Sequence, residues 1–356
     1  MKIVVAPDKF KGSLSAVDAA AAISRGLSKG YLDAEIVEIP IADGGEGTME
    51  LISSALDAEA VDVRVTDPLG EPITARYGLA GRRAIIEMSA ASGLQLAPAE
   101  RRDPWLADTF GTGLMIEDAL ERGAEEIIVG IGGSATNDGG TGMARALGFE
   151  FHLDGKGRLA EIEAPPELPG DLARFVAACD VANPLLGPDG CTRVYGSQKG
   201  IVPEDFTRHE ERLARLAEVV RQDVAAEISP DTPGAGAAGG LGFGLMAFCG
   251  AKLRSGFDLV AEVTGLEQEI ATADLVVTGE GSMDAQTLMG KGPMGVADLA
   301  RGAGKQVVAV CGIVRDEAAL LERFDEVISL ESLAAGAEDS MARAAELLES
   351  AAGRIR

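Results

Sequence analysis

Short apolar segments rich in β-branched residues alternate along the chain with segments whose apolar residues recur at helical spacing. Almost every position of the apolar segments is hydrophobic, which is typical of strands that helices cover on both sheet faces. These segments are residues 2–6, 34–39, 84–88, 125–131, 175–179, 274–278 and 305–310. The alternation predicts an α/β fold with mainly parallel sheets.

Polar residues mark the limits of several predicted helices. Ser15 with Asp18 predicts an N-cap for the first helix, and Gly30 predicts its end. Longer helices are predicted over residues 109–122, 203–227 and 338–355. His209 falls within the polar run TRHEER of the second of these, which favours a solvated surface position. Residues 149–200 carry mainly turn signals and a predicted hairpin.

The order of the elements predicts two domains, one inserted into the other. The turn DPLG at 67–70 is interpreted as the exit from the first α/β unit, and strand–helix alternation resumes after residue 285. The expected domains are therefore residues 1–68 with 285–356, and residues 69–284.

The charge of the chain excludes some partners. It carries 57 acidic and 32 basic residues, a net charge of −25, which would repel nucleic acid and anionic membranes. A small anionic substrate is not excluded, because a local pocket can oppose the overall sign. No apolar run is long enough for a membrane span, and the first residues form a strand instead of a signal peptide. We expect a cytoplasmic protein, either a monomer or a homodimer.

Histidine and cysteine usage narrows the chemistry further. The chain has only two histidines, which disfavours Ser-His hydrolysis and histidine-bound zinc. Its four cysteines form no C-x-x-C pair and are interpreted as small hydrophobic residues in a reducing compartment.

Glycine is abundant, at 46 residues, and it clusters with acidic and hydroxyl residues directly after the predicted strands. Ligands of open α/β sheets bind beyond the carboxyl ends of the strands, so this recurrence predicts an active site there. The loops are PDKFKGS (7–13), ADGGEGT (42–48), SAASG (89–93), GGSATNDGG (132–140), the segment around Asp180 and Asn183, and GEGSMD (279–284).

These loops contain the groups needed for phosphoryl transfer. Clustered carboxylates can hold Mg²⁺ or accept a proton from an attacking hydroxyl, and glycine-rich turns and lysines can bind phosphate or carboxylate. The chain has no P-loop motif. A G-x-G-x-x-G match at Gly234, Gly236 and Gly239 follows a proline-bearing loop and not a strand, which disfavours dinucleotide binding.

The motifs APDKFKGSLSA, ADGGEGT, EMSAASGL, FGTG, GIGGSATNDGG, ACDVANPLLG, GSQKG, PGAGAAGG and TGEGSMDAQT…GKGP, in this order, resemble the bacterial glycerate kinase family of class I. The resemblance implies Mg²⁺-dependent transfer of phosphate from ATP to D-glycerate, giving 2-phosphoglycerate. It also implies a Rossmann-like three-layer α/β domain with an inserted flavodoxin-like domain, and an active site in the cleft between them.

The candidate site residues follow from the loops and the resemblance together. The expected catalytic residues are Asp8, Lys9, Lys11, Asp43 and Asp180. The expected metal ligands are Asp138, Glu280 and Asp284. Substrate or phosphate binding is expected for Gly12, Ser13, Gly44, Gly45, Glu46, Ser92, Gly111, Thr112, Gly113, Gly132, Gly133, Ser134, Asn137, Asn183, Lys199 and Lys291.

Several functional alternatives stay open at this point. Which carboxylate is the base and which binds metal is not decided by the residues. The acceptor could be another small hydroxy acid, or the product could be 3-phosphoglycerate. A non-catalytic sugar-acid sensor and an NAD-linked oxidoreductase are weaker alternatives, because many carboxylates would oppose simple anion binding and the glycine match lacks its strand.

Overall fold

Two large β-sheets organise the chain in the computed structural model, which describes residues 1–42, 47–224, 227–283, 292–315 and 317–356. The chain divides into two units. The first unit comprises Met1–Asp43 and Phe257–Arg356, and the second comprises Gly44–Gly256.

The strands are numbered in chain order. They are β1 (Lys2–Pro7), β2 (Glu35–Glu38), β3 (Glu59–Thr66), β4 (Pro72–Ala80), β5 (Arg83–Glu87), β6 (Glu126–Gly130), β7 (Glu150–Leu153), β8 (Leu159–Glu163), β9 (Arg174–Ala178), β10 (Lys252–Arg254), β11 (Leu275–Gly279), β12 (Ser282–Met283), β13 (Gln306–Cys311), β14 (Ile313–Val314) and β15 (Glu326–Ser329).

The α-helices are numbered in the same way. They are α1 (Ala16–Gly30), α2 (Thr48–Ala55), α3 (Ser89–Ser92), α4 (Phe110–Glu121), α5 (Thr141–Ala146), α6 (Pro169–Leu172), α7 (Cys191–Tyr195), α8 (Phe206–Asp223), α9 (Ala237–Cys249), α10 (Gly256–Thr264), α11 (Leu266–Thr272), α12 (Gly292–Gly302), α13 (Glu317–Leu321), α14 (Ala337–Ala342) and α15 (Ala344–Ala352).

The first unit is a three-layer arrangement around a parallel sheet of five strands, in the order β15-β13-β11-β1-β2. Successive side chains of a strand point to opposite faces, and in β1 both faces are apolar. Ile3 and Val5 pack in a cluster with α1 and α15, whereas Val4 and Ala6 pack with α11 and α12. The predicted α/β organisation of this part of the chain is confirmed.

The second unit is built on a mixed sheet of six strands, in the order β10-β9-β6-β5-β4-β3. The strands β5, β6, β9 and β10 are parallel, whereas β3, β4 and β5 are linked as antiparallel neighbours. Alternate residues of the parallel strands pack in one core with α4, α5, α8 and α9. A separate antiparallel hairpin, β7–β8, lies within residues 149–200, where a hairpin was predicted, and it contains His152.

The structural units and the predicted domains differ in the placement of two strands. The sequence-based limits put β3 in the first domain, but β3 pairs with β4 in the second sheet. They put β11 in the second domain, but β11 lies between β1 and β13 in the first sheet. The units consequently change near residues 43 and 257.

Most predicted helices are present with adjusted limits. Ser15 caps α1 as predicted, since its side chain accepts a hydrogen bond from the Asp18 backbone N–H. The helix expected over 203–227 consists of a 3-10 turn at Pro203–Asp205 followed by α8. The single helix expected over 338–355 is wrong, because α14 and α15 are separate and Arg343 between them leaves helical geometry.

Candidate active site

Three loops come together at the carboxyl edge of the first sheet, because β1, β11 and β13 are parallel neighbours. We call residues 8–14, 280–283 and 312–315 the first-sheet loops. A Cβ atom added at Gly281 would lie 3.1 Å from the Lys11 backbone nitrogen, and one at Gly312 would lie 2.4 Å from the Gly281 carbonyl oxygen. The glycines therefore allow the loops to touch.

Asp8 is the best-defined carboxylate of the first-sheet loops. It is buried, its backbone N–H donates to the Gly279 carbonyl at 2.8 Å, and its Oδ1 accepts from the Lys9 N–H at 2.6 Å. A Cβ atom at Gly292 would lie 3.0 Å from Asp8 Oδ2, so α12 begins beside this carboxylate. The fold thus brings Asp8, Lys9 and the start of α12 together.

The rest of this loop is more open. Lys11 and Gly12 are exposed, and Gly12 adopts a φ of +80°, which favours glycine. The Ser13 hydroxyl donates to the Phe10 carbonyl at 3.0 Å, so this side chain closes the turn. Glu280 follows β11 and is half-buried. The lysine, the glycine and the two carboxylates of Asp8 and Glu280 therefore belong to one loop cluster of the first unit.

Six of the predicted site residues lie outside the described residues. They are Asp43, Gly44, Gly45, Glu46, Asp284 and Lys291.

The second unit has its own group of sheet-edge loops, after β5, β6 and β9. We call residues 88–93, 131–140 and 179–183 the second-sheet loops. Gly132 is half-buried and Gly133 is exposed, and the Gly133 carbonyl accepts from the Leu94 N–H at 2.8 Å. The Ala135 N–H donates to the Ser92 carbonyl at 2.9 Å, which joins the loops after β5 and β6.

Lys199 is buried beneath the turn that follows β6. Its Nζ donates to Ser134 Oγ at 2.7 Å and to the Thr136 carbonyl at 2.7 Å. Burial lowers the pKa of Lys199 to about 8, while Cys191 and Asp138 act in the opposite direction. The side chain therefore belongs to the interior of the site and not to its surface.

Asp138 connects the starts of α4 and α5. Its Oδ2 accepts from the Thr109 N–H, the Thr109 hydroxyl and the Gly142 N–H, at 3.0, 2.8 and 2.9 Å, and its Oδ1 accepts from the Gly140 N–H at 3.1 Å. A buried carboxylate with this many donors is well satisfied. These bonds give Asp138 an architectural role, and metal binding by this residue stays a prediction.

The FGTG motif and Ser92 contribute packing. Ser92 Oγ and Thr112 Oγ1 are 2.8 Å apart and buried. A Cβ atom at Gly111 would lie 2.0 Å from the Thr66 carbonyl, and one at Gly113 would lie 2.6 Å from Ala146 Cβ. These residues let α4 approach β3 and α5 closely, so their effect on ligands would act through the loops they support.

The residues after β9 have mixed surroundings. Asp180 is exposed, and its Oδ1 accepts from the Gly256 N–H at 2.9 Å. Asn183 accepts from the Tyr195 hydroxyl and donates to the Asp189 carbonyl, both at 2.8 Å. The Asn137 side chain donates to Thr192 Oγ1 at 3.0 Å, and its Oδ1 is buried without a partner in the described chain.

The glycines of residues 234–240 pack against the second-sheet loops. A Cβ atom at Gly236 would lie 2.1 Å from the Pro184 carbonyl, and one at Gly239 would lie 2.0 Å from the Thr136 carbonyl. The G-x-G-x-x-G match thus has a packing explanation, since only glycine lets the start of α9 come so close to the turn after β6.

His209 was missed by the sequence interpretation. The prediction of a solvated surface position is wrong, because its side chain is fully buried and its ring stacks on Trp105 at 3.8 Å between centroids. The spacing contained a signal: His209, Leu213, Leu216 and Val220 share one helical stripe, and all are buried in α8.

A family model described as the glycerate kinase family matches residues 3–356. The chain belongs to the glycerate kinase family. This finding confirms the resemblance inferred from the motifs, and with it the assignment of the chain to a family of kinases.

Individual members of the family match over nearly their full length. The chain is 42% identical to glycerate 2-kinase of Escherichia coli (strain K12), covering 97% of this chain and 96% of that protein. It is also 42% identical to glycerate kinase of Bacillus subtilis (strain 168), covering 100% of this chain and 97% of that one.

A solved structure confirms the fold of this glycerate kinase family member. A crystal structure of a protein provisionally named glycerate kinase 2, from Salmonella typhimurium LT2, matches with a TM-score of 0.86 and 42% identity. The match covers 99% of this chain and 96% of that chain. Among the helices of the described residues, none is long and apolar enough to cross a bilayer.

The fit of a divalent cation to the described site is partial. Mg²⁺ prefers oxygen ligands and retains several waters, so it needs only one or two carboxylates together with substrate phosphates. Asp8 and Glu280 supply such carboxylates in the first-sheet loops. Within the described chain, the group whose ligand atoms already lie within 4.8 Å of one another is Glu150, His152 and Glu163, on the exposed hairpin and not in these loops.

Proposed function

We propose that this chain transfers the γ-phosphate of ATP to the 2-hydroxyl of D-glycerate, giving 2-phosphoglycerate, and that the reaction depends on Mg²⁺. The observation that carries the proposal is the match to E. coli glycerate 2-kinase over 97% of this chain. The sheet-edge loops support it, because they contain carboxylates, lysines and glycine-rich turns, which are the groups that phosphoryl transfer requires.

The first-sheet loops supply charged groups of both signs. Lys9 and Lys11 would bind phosphate oxygens, and the N–H groups around Gly12 would add backbone donors. Asp8 and Glu280 would hold Mg²⁺, together with Asp43, Glu46 and Asp284 from outside the described residues. When bound, the metal ion would neutralise charge on the transferred phosphate.

The second-sheet loops supply donors for an anion. The N–H groups of Gly132 and Gly133 form no hydrogen bond within the described residues, and they lie in a turn that is open to solvent. Such groups suit a carboxylate or a phosphate oxygen. Asp180, exposed after β9, is the candidate of this unit for accepting the proton of the substrate hydroxyl.

The function is tested with purified protein, ATP and D-glycerate, followed by ADP release and by ³¹P NMR of the product. A phosphate on C2 couples to one proton, whereas a phosphate on C3 couples to two, so the spectrum distinguishes the two products. We expect the C2 pattern. The proposal is rejected if folded protein produces no phosphoglycerate, and the regiochemistry is rejected if the C3 pattern is found.

Metal dependence and acceptor choice need separate experiments. Removal of divalent cations with EDTA should abolish turnover, and added Mg²⁺ should restore it. A panel of L-glycerate, glycolate, lactate and tartrate distinguishes a kinase of another hydroxy acid. A non-catalytic sensor would instead show thermal stabilisation by the acid without consumption of ATP.

A further inference from the structure

Lys199 carries an ammonium group into the interior of the second unit. The residue is 2% exposed, although burial of a lysine is costly unless its N–H groups find acceptors. Within the described residues its Nζ forms no ion pair, and both of its hydrogen bonds go to neutral oxygens. An unpaired lysine kept at such a cost needs an explanation beyond packing.

Both acceptors belong to one short turn. Ser134 Oγ and the Thr136 carbonyl lie two residues apart in the turn after β6, directly beside Gly132 and Gly133. The turn is also tied through Ala135 to the loop after β5, and Asp138 holds its far end. Lys199 contacts this turn from the interior of the second unit, through the two hydrogen bonds of its Nζ.

Lys199 is itself held in place from outside the turn. It ends a 3-10 helix over Ser197–Lys199, and the next residue, Gly200, adopts a φ of +94°. The Arg102 guanidinium donates to the Gln198 carbonyl at 3.0 Å. The backbone that carries the lysine therefore has anchoring contacts besides the two hydrogen bonds that the lysine makes to the turn.

We infer that Lys199 is a positioning residue: its buried ammonium holds the turn at residues 132–137 in the shape that presents the Gly132 and Gly133 N–H groups to an anionic ligand. The inference rests on the proposed function for the identity of that ligand. The contact between Lys199 and the turn does not depend on the proposed function. The burial of Lys199 disfavours direct contact with the substrate. The positioning role therefore replaces the substrate-binding role predicted for this residue from the sequence.

The charge on the ammonium matters for this role. Hydrogen bonds from a charged donor are roughly twice as strong as those from a neutral one. The titratable groups around the ammonium are Asp138 after β6 and the Cys191 thiol of α7, and Arg102, from the loop before α4, lies against the neighbouring residues Gln198 and Gly200. Because the pKa of Lys199 is lowered to about 8, the turn is held firmly at neutral pH and loosens as the lysine loses its proton at higher pH.

The first experiment measures amide hydrogen exchange of residues 131–140 without any ligand. Lys199→Met should raise the exchange of this segment at pH 7 by about tenfold, since two hydrogen bonds to the turn are lost. Lys156→Met, at an exposed hairpin turn, is the matched control and should leave it unchanged. In the wild type, protection corrected for intrinsic exchange should fall between pH 7 and pH 9.

The second experiment measures kcat/KM with ATP and glycerate against pH. A misplaced turn should lower kcat/KM of Lys199→Met by about a hundredfold at pH 7. The ratio of wild type to variant should shrink as the pH rises past about 8, because the wild type then loses its own ammonium. Lys199→Arg keeps the charge and should recover part of the activity.

The outcomes separate the inference from the proposed function. A wild type without turnover rejects the function, while the exchange data still decide the role of Lys199. Unchanged exchange in Lys199→Met together with lost activity overturns the inference in favour of direct ligand contact. Unchanged exchange and activity overturn it outright. If Lys199→Met does not fold, the wild type alone decides the question. Exchange protection of residues 131–140 that stays constant from pH 7 to pH 9 would then overturn the inference outright.

Discussion

His209 lies against Trp105 in a site that favours the neutral imidazole. Burial lowers its pKa to about 4, and the neighbouring Arg212 and Arg208 act in the same direction, while Asp205 and Asp103 oppose them. Neither ring nitrogen has a hydrogen-bond partner in the described chain. The native state therefore binds the proton of this histidine less readily than the unfolded chain does.

This difference predicts an acid-sensitive contribution to stability. Well above pH 6.5 the histidine is neutral in both states and contributes no pH dependence. As the pH falls from 6.5 towards 4, the unfolded state takes up the proton first, and the free energy of unfolding should drop by at most about 3 kcal/mol. His209→Phe keeps the stacking on Trp105 and should remove this part of the slope.

The measurement is chemical denaturation of wild type and His209→Phe at a series of pH values. His152→Gln is the control, because it removes the other histidine from an exposed hairpin. The stability difference between His209→Phe and wild type should grow in favour of the variant below pH 6.5. Parallel curves for the two proteins would show that His209 is solvated in solution.

Asp8 is the residue for which the catalytic prediction is sharpest. It is buried at the edge of the first sheet, next to Lys9 and the start of α12. Asp8→Asn keeps the shape and removes the charge, and it should lower kcat by at least about a hundredfold. Asp33→Asn, an exposed carboxylate of the same unit, is the control. Near-normal turnover of a folded Asp8→Asn protein would remove Asp8 from the catalytic residues.

At the scale of elements, the positions of the predicted strands could be derived from the sequence, but the residues against which the glycines pack could not. Strand positions follow from local apolar runs, and every predicted strand is present. The packing of Gly236 against Pro184, and of Gly239 against Thr136, depends on residues far away in the chain. Asp138 is similar, because its bonds to Thr109 could not be inferred without the fold. The position of Asp138 in a loop after a predicted strand, and the G-x-G-x-x-G match, drew attention to these residues, but did not show which distant residues they contact.

The two ends of α9 allow this packing to be measured. Gly239 and Gly250 have similar backbone conformations, with φ of +67° and +63°. An alanine at Gly250 would meet nothing within 4 Å, whereas one at Gly239 would lie 2.0 Å from the Thr136 carbonyl. Gly250→Ala should cost about 1 kcal/mol of unfolding free energy for the left-handed backbone alone. Gly239→Ala should cost at least about 3 kcal/mol, because the turn must move as well.

Denaturant titration of both variants tests this difference. Equal losses of stability would mean that the turn after β6 moves aside freely. That outcome would also weaken the view that the turn is held in one shape for ligand binding.

At the scale of the molecule, the insertion of one unit into the other was visible in the sequence, but its limits were not. The turn at 67–70 is a real turn, yet β3 before it belongs to the second sheet because it pairs with β4. The turn residues alone do not distinguish a hairpin within one sheet from an exit into another domain, so the pairing of β3 with β4 had to be seen in the structure. The placement of β11 was wrong for a different reason, because its partner β1 lies far away along the chain, as the pairing of Ile3 with Leu275 shows.

The net charge of −25 is a property of the whole chain, and it predicts how stability responds to salt. Many of the ion pairs are exposed, such as Arg76–Asp62, with 67% and 55% of the two side chains accessible. Exposed pairs of this kind contribute little, so their weakening by salt is a small loss. Repulsion among the excess carboxylates acts over the whole surface and is screened at the same time.

Raising NaCl from 10 mM to 300 mM should therefore increase the melting temperature by a few degrees. Calorimetry at pH 7.5 measures the effect, and a repeat at pH 5, where part of the carboxylate charge is removed, should show a smaller increase. A melting temperature that falls with salt at pH 7.5 would mean that the ion pairs outweigh the repulsion. The acidic surface would then be organised into favourable networks instead of behaving as a uniform excess of charge.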